Sequence, residues 1–181
     1  QMFVFDHMYG VDMADAIMQT AANGYSGCIV WMLDDAMHVN EPGRLKIWGF
    51  WNILGEERYG AAMEQIRPWY YAIALLSRYF PPGSRILGSA VGEVAGVRAL
   101  WGEYDGKPTL AVVNTNPDQA VVLTLDGLTA SWSGLDRYLY AEGALQLDGE
   151  RLLPVERRVT LRSGDRIRIE PESMVVYTAL E

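Results

Sequence analysis

The sequence predicts two kinds of structure in succession: an α/β segment of helix, buried strand and helix, then an all-β antiparallel sandwich. Three observations predict it. Residues 1–80 hold two stretches with apolar side chains at helical spacing, on either side of one short continuous apolar run. Residues 84–181 hold many short strand-like segments set off by Asp-Gly and Ser-Gly pairs. Between them stands Phe80-Pro81-Pro82-Gly83-Ser84, a helix stop followed by a stiff turn. The expected domains are therefore 1–83 and 84–181.

The first helix is expected over residues 2–23. Met8, Val11, Ala14, Ile17, Met18 and Ala21 recur at three- and four-residue steps, and Gly24 is placed to end it. Gly10 inside it weakens the helix. Gly27-Cys28-Ile29-Val30-Trp31-Met32-Leu33 suits a strand buried on both faces. Cys28, the single cysteine, has no partner for a disulfide within the chain and reads as a buried small hydrophobe. A loop over residues 36–46 and a polar turn around Gly55 precede a second helix over residues 67–79, with Pro68 in its first turn. Strands are expected at 97–104, 108–114, 119–126, 135–140, 144–147, 151–155, 158–161, 166–169 and 173–180. Asp105-Gly106, Asp126-Gly127, Asp148-Gly149 and Ser163-Gly164 punctuate them, and Asp-Gly between alternating segments signals a hairpin.

A lone strand buried on both faces leaves its backbone donors and acceptors unpaired. Its neighbours are therefore expected upstream or in another chain. Helix, buried strand and helix form the repeating unit of an α/β barrel, and equally of an open doubly wound sheet.

The net charge of −8 argues against nucleic acid, which needs clustered Lys and Arg, and against an anionic membrane surface. No apolar run approaches the roughly 20 residues that span a bilayer. The start lacks the basic stretch and cleavage site of a signal peptide, which in a piece of a longer chain says nothing about export. Glycine-rich phosphate loops, nucleophile elbows and metal-ligand spacings are missing from the sequence, so no cofactor and no metal are expected.

Asp34 and Asp35 stand at the carboxyl end of the apolar run, the end at which α/β folds bind ligands. Asp35 equally suits capping of a following turn. Trp31 lies close by. Its face suits stacking on a sugar ring or packing in a core. His38, in the loop, can donate to a sugar hydroxyl or be simply solvated. Glycoside hydrolysis needs two carboxyl groups. Glu41 sits in a loop, and Glu56, Glu57 and Glu64 sit in polar surroundings, so no catalytic residue is assigned within this chain.

The segment Gly24-Tyr25-Ser26-Gly27-Cys28-Ile29-Val30-Trp31-Met32-Leu33-Asp34-Asp35 resembles the eighth strand of the retaining (β/α)8-barrel glycoside hydrolases. Trp48-Gly49-Phe50-Trp51, Arg67-Pro68-Trp69-Tyr70-Tyr71 and residues 75–84 are similar to the final helix and exit of that barrel. The tail from about residue 85 resembles the β-sandwich that often follows it. The resemblance implies the last βα unit of a TIM barrel plus a sandwich, in the C-terminal part of an enzyme acting on β-linked glycans. It implies that the acid/base and nucleophile Glu residues lie on strands outside this chain, so that the chain alone is inactive. It also implies that the remainder of the barrel is a partner and a carbohydrate the substrate. Trp31, Asp34, Asp35 and His38 carry over as sugar-contacting residues. Two other readings stand beside it. One is a non-catalytic carbohydrate-binding module, which needs exposed aromatics among Trp101, Tyr104, Trp132, Tyr138 and Tyr140. The other is a structural protein whose open barrel edge pairs with another chain.

Overall fold

A computed structural model describes residues 6–30, 36–37, 45–46, 66–91 and 94–181. Helix α1 (Asp6–Ala22) ends in a Schellman turn: Gly24 takes φ +81°, its N–H reaches the Ala21 carbonyl at 3.1 Å, and the Tyr25 N–H reaches that of Thr20 at 3.2 Å. The buried stripe is His7, Gly10, Val11, Ala14 and Met18, with Ile17 and Ala21 packed against the same core; of the expected stripe, Met8 alone falls outside it, 40 % exposed. Gly10 lies where α1 meets its neighbours. A Cβ there would lie 2.9 Å from the Trp69 Cα and against the Tyr140 hydroxyl, so glycine lets α1 press close to its neighbours.

Helix α2 (Pro68–Tyr79) has its proline in the first turn as expected, with Arg67 as the cap residue before it, and buries Trp69, Tyr71, Ala72, Ile73, Leu75, Leu76 and Tyr79. The chain then turns through Pro81-Pro82-Gly83-Ser84. Proline precedes a glycine at φ +93°, and the Ser84 N–H bonds the Pro81 carbonyl at 3.0 Å, the pattern of a type II turn.

The run expected as a buried strand departs from expectation. Cys28, Ile29 and Val30 carry no strand, Ile29 is 94 % exposed, and Cys28 is exposed rather than buried. The physical reason is the one raised by the sequence: among the described residues no strand lies beside them to pair with. Residues 31–33 lie outside the described residues. Beyond them, β1 (Ala36–Met37) and β2 (Leu45–Lys46) form a small antiparallel pair within the expected loop.

The rest is open, antiparallel sheet with no barrel closure among the described residues. Strands β3 (Arg85–Val91), β4 (Val97–Tyr104), β5 (Lys107–Asn114), β6 (Val121–Thr124), β7 (Trp132–Tyr140), β8 (Leu147–Asp148), β9 (Arg151–Leu152), β10 (Glu156–Leu161), β11 (Arg166–Ile169) and β12 (Ser173–Thr178) follow in order. Six form one sheet in the order β10-β7-β12-β5-β4-β3; β6 pairs β11 in a ribbon, and β8 pairs β9 in a hairpin. Asp105 and Gly106 have φ +51° and +71° and join β4 to β5 with Tyr104 opposite Lys107, as a type I′ hairpin requires. Asp126-Gly127 and Ser163-Gly164 are not hairpin turns. The chain passes there between the large sheet and the ribbon, and the two passages are tied by Leu125 N–H to Asp165 carbonyl at 2.9 Å and Gly164 N–H to Leu125 carbonyl at 2.6 Å. Strand β3 was not among the expected strands.

The large sheet is buried on both faces. Strand alternation sends Ala111, Val113, Tyr138, Tyr140, Met174 and Val176 towards α1 and α2. It sends Leu110, Val112, Leu135, Val175 and Tyr177 towards Ile167 and Ile169 of the ribbon. The central strands β5 and β12 therefore read as continuous apolar runs although antiparallel. Arg98 of β4 donates to Asp15 of α1 at 2.6 Å, a largely shielded ion pair, and His7 Nε2 donates to the Glu172 carbonyl at 2.8 Å. Asn114, fully buried, donates to the Gln119 and Glu170 carbonyls, and so shapes the turn that receives His7.

Candidate functional site

Trp31, Asp34, Asp35 and His38, the residues singled out as sugar contacts, all lie outside the described residues. Their chain neighbours are placed. Val30 is half-buried and lines a cleft of about 400 Å3 with Tyr25 and Cys28, facing Leu76, Phe80 and Pro81.

The aromatic row needed for a binding face on the strands of the second half does not form. Tyr138 and Tyr140 are 5 % and 0 % exposed beneath the helices. Trp101 and Trp132 are half-buried against the opposite core, which leaves only Tyr104 of the five exposed. For Tyr138 and Tyr140, packing is what alternation on one face signified. Among the described residues no group of three His, Cys, Asp or Glu side chains could hold a metal, and no helix is long and apolar enough to cross a membrane.

A larger cleft, about 660 Å3, lies between α2 and the β8–β9 hairpin, and sequence reasoning did not find it. Tyr70 and Tyr71 stand on the α2 side, their rings edge to face at 5.4 Å and 77°. Arg78 is exposed on the same helix, its guanidinium 5.5 Å from the centre of the Tyr79 ring. Glu150 and Arg151 are exposed at the hairpin turn. Leu145 and Leu152 pack into the helix-side core, and the Leu153 N–H bonds the Gln146 carbonyl at 2.8 Å, which fixes the hairpin over α2. Burial, then the Glu150 carboxylate, push the Tyr71 pKa up from its usual 10.0. Burial, aided by the Tyr138 side chain, pushes that of Tyr79 up further.

No family model and no curated protein matches the chain. Among solved structures, it superposes on the glycoside hydrolase family 30 subfamily 8 xylanase Xyn30A of Clostridium acetobutylicum with a TM-score of 0.67 and 11 % identity, over 97 % of this chain and 39 % of that one. A GH30 endoxylanase of Clostridium papyrosolvens C71 aligns more loosely, with a TM-score of 0.49 and 15 % identity, over 64 % of this chain and 28 % of that one. The chain thus spans about two fifths of the xylanase on which it superposes best of these two, and at such identity the likeness is one of fold. What it establishes is a distant likeness of fold to part of that family 30 xylanase.

Proposed function

We propose that the chain is the C-terminal portion of a glycoside hydrolase acting on β-linked glycans, in which residues 1–83 contribute the last βα unit of the barrel and residues 84–181 an accessory sandwich. The observation that carries this reading is the superposition of 97 % of the chain on a fragment of a xylanase. The exposure of Cys28 and Ile29 supports it, since an apolar run at the surface fits a strand whose neighbours belong to the rest of a barrel.

In this reading the acid/base and nucleophile carboxylates come from barrel strands outside the chain, and the bond is broken with retention through a glycosyl-enzyme intermediate. Trp31 forms part of the floor under the sugar, and Asp34, Asp35 and His38 bond its hydroxyls. The test is an assay of the full-length protein on soluble xylan, hydroxyethylcellulose and galactomannan. Release of reducing ends from at least one is expected, with none from the 181-residue chain alone. Failure of the full-length protein on all β-linked polysaccharides would overturn the reading.

A further inference from the structure

We propose that the cleft between α2 and the β8–β9 hairpin is an auxiliary binding site for a neutral stretch of oligosaccharide; the proposal rests on the glycan-active reading above. Its size, about 660 Å3, falls within the range of roughly 300–1,000 Å3 typical of small-molecule sites. Its chemistry is mixed in the way a polyol requires. Each sugar hydroxyl is both donor and acceptor. Arg78 and Arg151 supply donors only, and Glu150 supplies acceptors only. Tyr70, half-buried on α2, offers an aromatic surface to the C–H face of a pyranose. A ligand bearing charge of one sign only would leave the opposite sign of the lining unanswered, and a purely apolar one would leave all three charged side chains so. Glu150 lines the cleft together with Tyr71.

The walls are set before any ligand arrives. Helix α2 is held by its buried face, and the hairpin by Leu145 and Leu152. Little ordering is then needed on binding, which favours affinity for a flexible chain. Tyr70 comes from the helix, and Glu150 and Arg151 from a hairpin far along the sequence, so no local motif announces the site.

The test is amide hydrogen exchange on the full-length protein with thio-linked xylo- and cello-oligosaccharides, which glycosidases do not cleave. Expected is new protection at residues 147–152 and along the Tyr70 side of α2. The triple variant Tyr70→Ala, Glu150→Ala, Arg151→Ala should lose that protection and weaken binding at this site at least about fivefold. Should Tyr70→Ala impair folding, the double variant at Glu150 and Arg151, both exposed, should still lose protection at 147–152. Full protection of 147–152 in the ligand-free protein would overturn the proposal, since another part of the protein would then fill the cleft. So would protection that the variants leave intact. A full-length protein that hydrolyses β-linked polysaccharide but gains no protection at 147–152 sinks this proposal alone. One that hydrolyses none and is protected nowhere sinks the underlying function as well.

Discussion

Tyr140 of β7 and His7 of α1 are joined twice: their rings stack with centroids 4.6 Å apart, and the Tyr140 hydroxyl donates to the His7 carbonyl at 3.0 Å. With the His7 bond to the Glu172 carbonyl, this fastens the start of α1 to the sheet on which α2 also lies. Tyr140→Phe keeps the stack and removes the hydroxyl. The expected cost is about 1 kcal/mol, the usual net value of a buried hydrogen bond. A urea titration should show a lower midpoint at unchanged slope. An unchanged midpoint would mean that the bond contributes nothing to the docking of α1.

Gly10→Ala separates helix propensity from packing. Propensity alone favours alanine by about 1 kcal/mol. The added Cβ, 2.9 Å from the Trp69 Cα, forces α1 away from α2 or displaces Tyr140. Overpacking of this kind costs about 1–3 kcal/mol, so a lower melting temperature is expected. A rise would show that the helix pair can separate freely.

Tyr71, Tyr79 and Tyr177 give the protein an alkaline limit. Burial leads the causes that raise all three above 10.0. In the unfolded chain they lose protons first. The folded state then holds more protons than the unfolded, and stability falls as pH rises. The contribution is fully present below about pH 10 and disappears as pH climbs through the folded values. Denaturation midpoints compared at about pH 8 and about pH 11 should drop, and Tyr177→Phe should lessen the drop. An equal drop in the variant would remove Tyr177 from the cause.

Much of the sheet was legible in the sequence. The limits of β4 and β11 fell where alternation put them, and Asp105-Gly106 predicted its hairpin because both residues accept positive φ. Strand β3 was not legible. It is an edge strand in which Ile86 and Leu87 follow one another, both exposed, so it shows no period of two. On α1 the expected stripe holds at Val11, Ala14 and Met18 but not at Met8, because His7 and Gly10 occupy that end of the face and neither scores as apolar. Alternation placed Tyr138 and Tyr140 together, yet could not say that helices cover that side. The expected sugar contacts Trp31, Asp34, Asp35 and His38 fall outside the described residues, whereas the α2 cleft joins segments that no local pattern links.

The most direct test of the central claim is the catalytic efficiency of Trp31→Ala in the full-length protein on the polysaccharide it hydrolyses best, with melting temperature measured alongside. If the Trp31 ring forms the floor under the sugar, its removal takes away an aromatic face worth roughly 0.5–1.5 kcal/mol beyond its buried area. The expected result is a fall in kcat/KM of at least tenfold, about 1.4 kcal/mol of transition-state stabilisation, at an unchanged melting temperature. Unchanged efficiency would contradict the account, and a fall matched by a collapse in melting temperature would assign Trp31 to core packing instead.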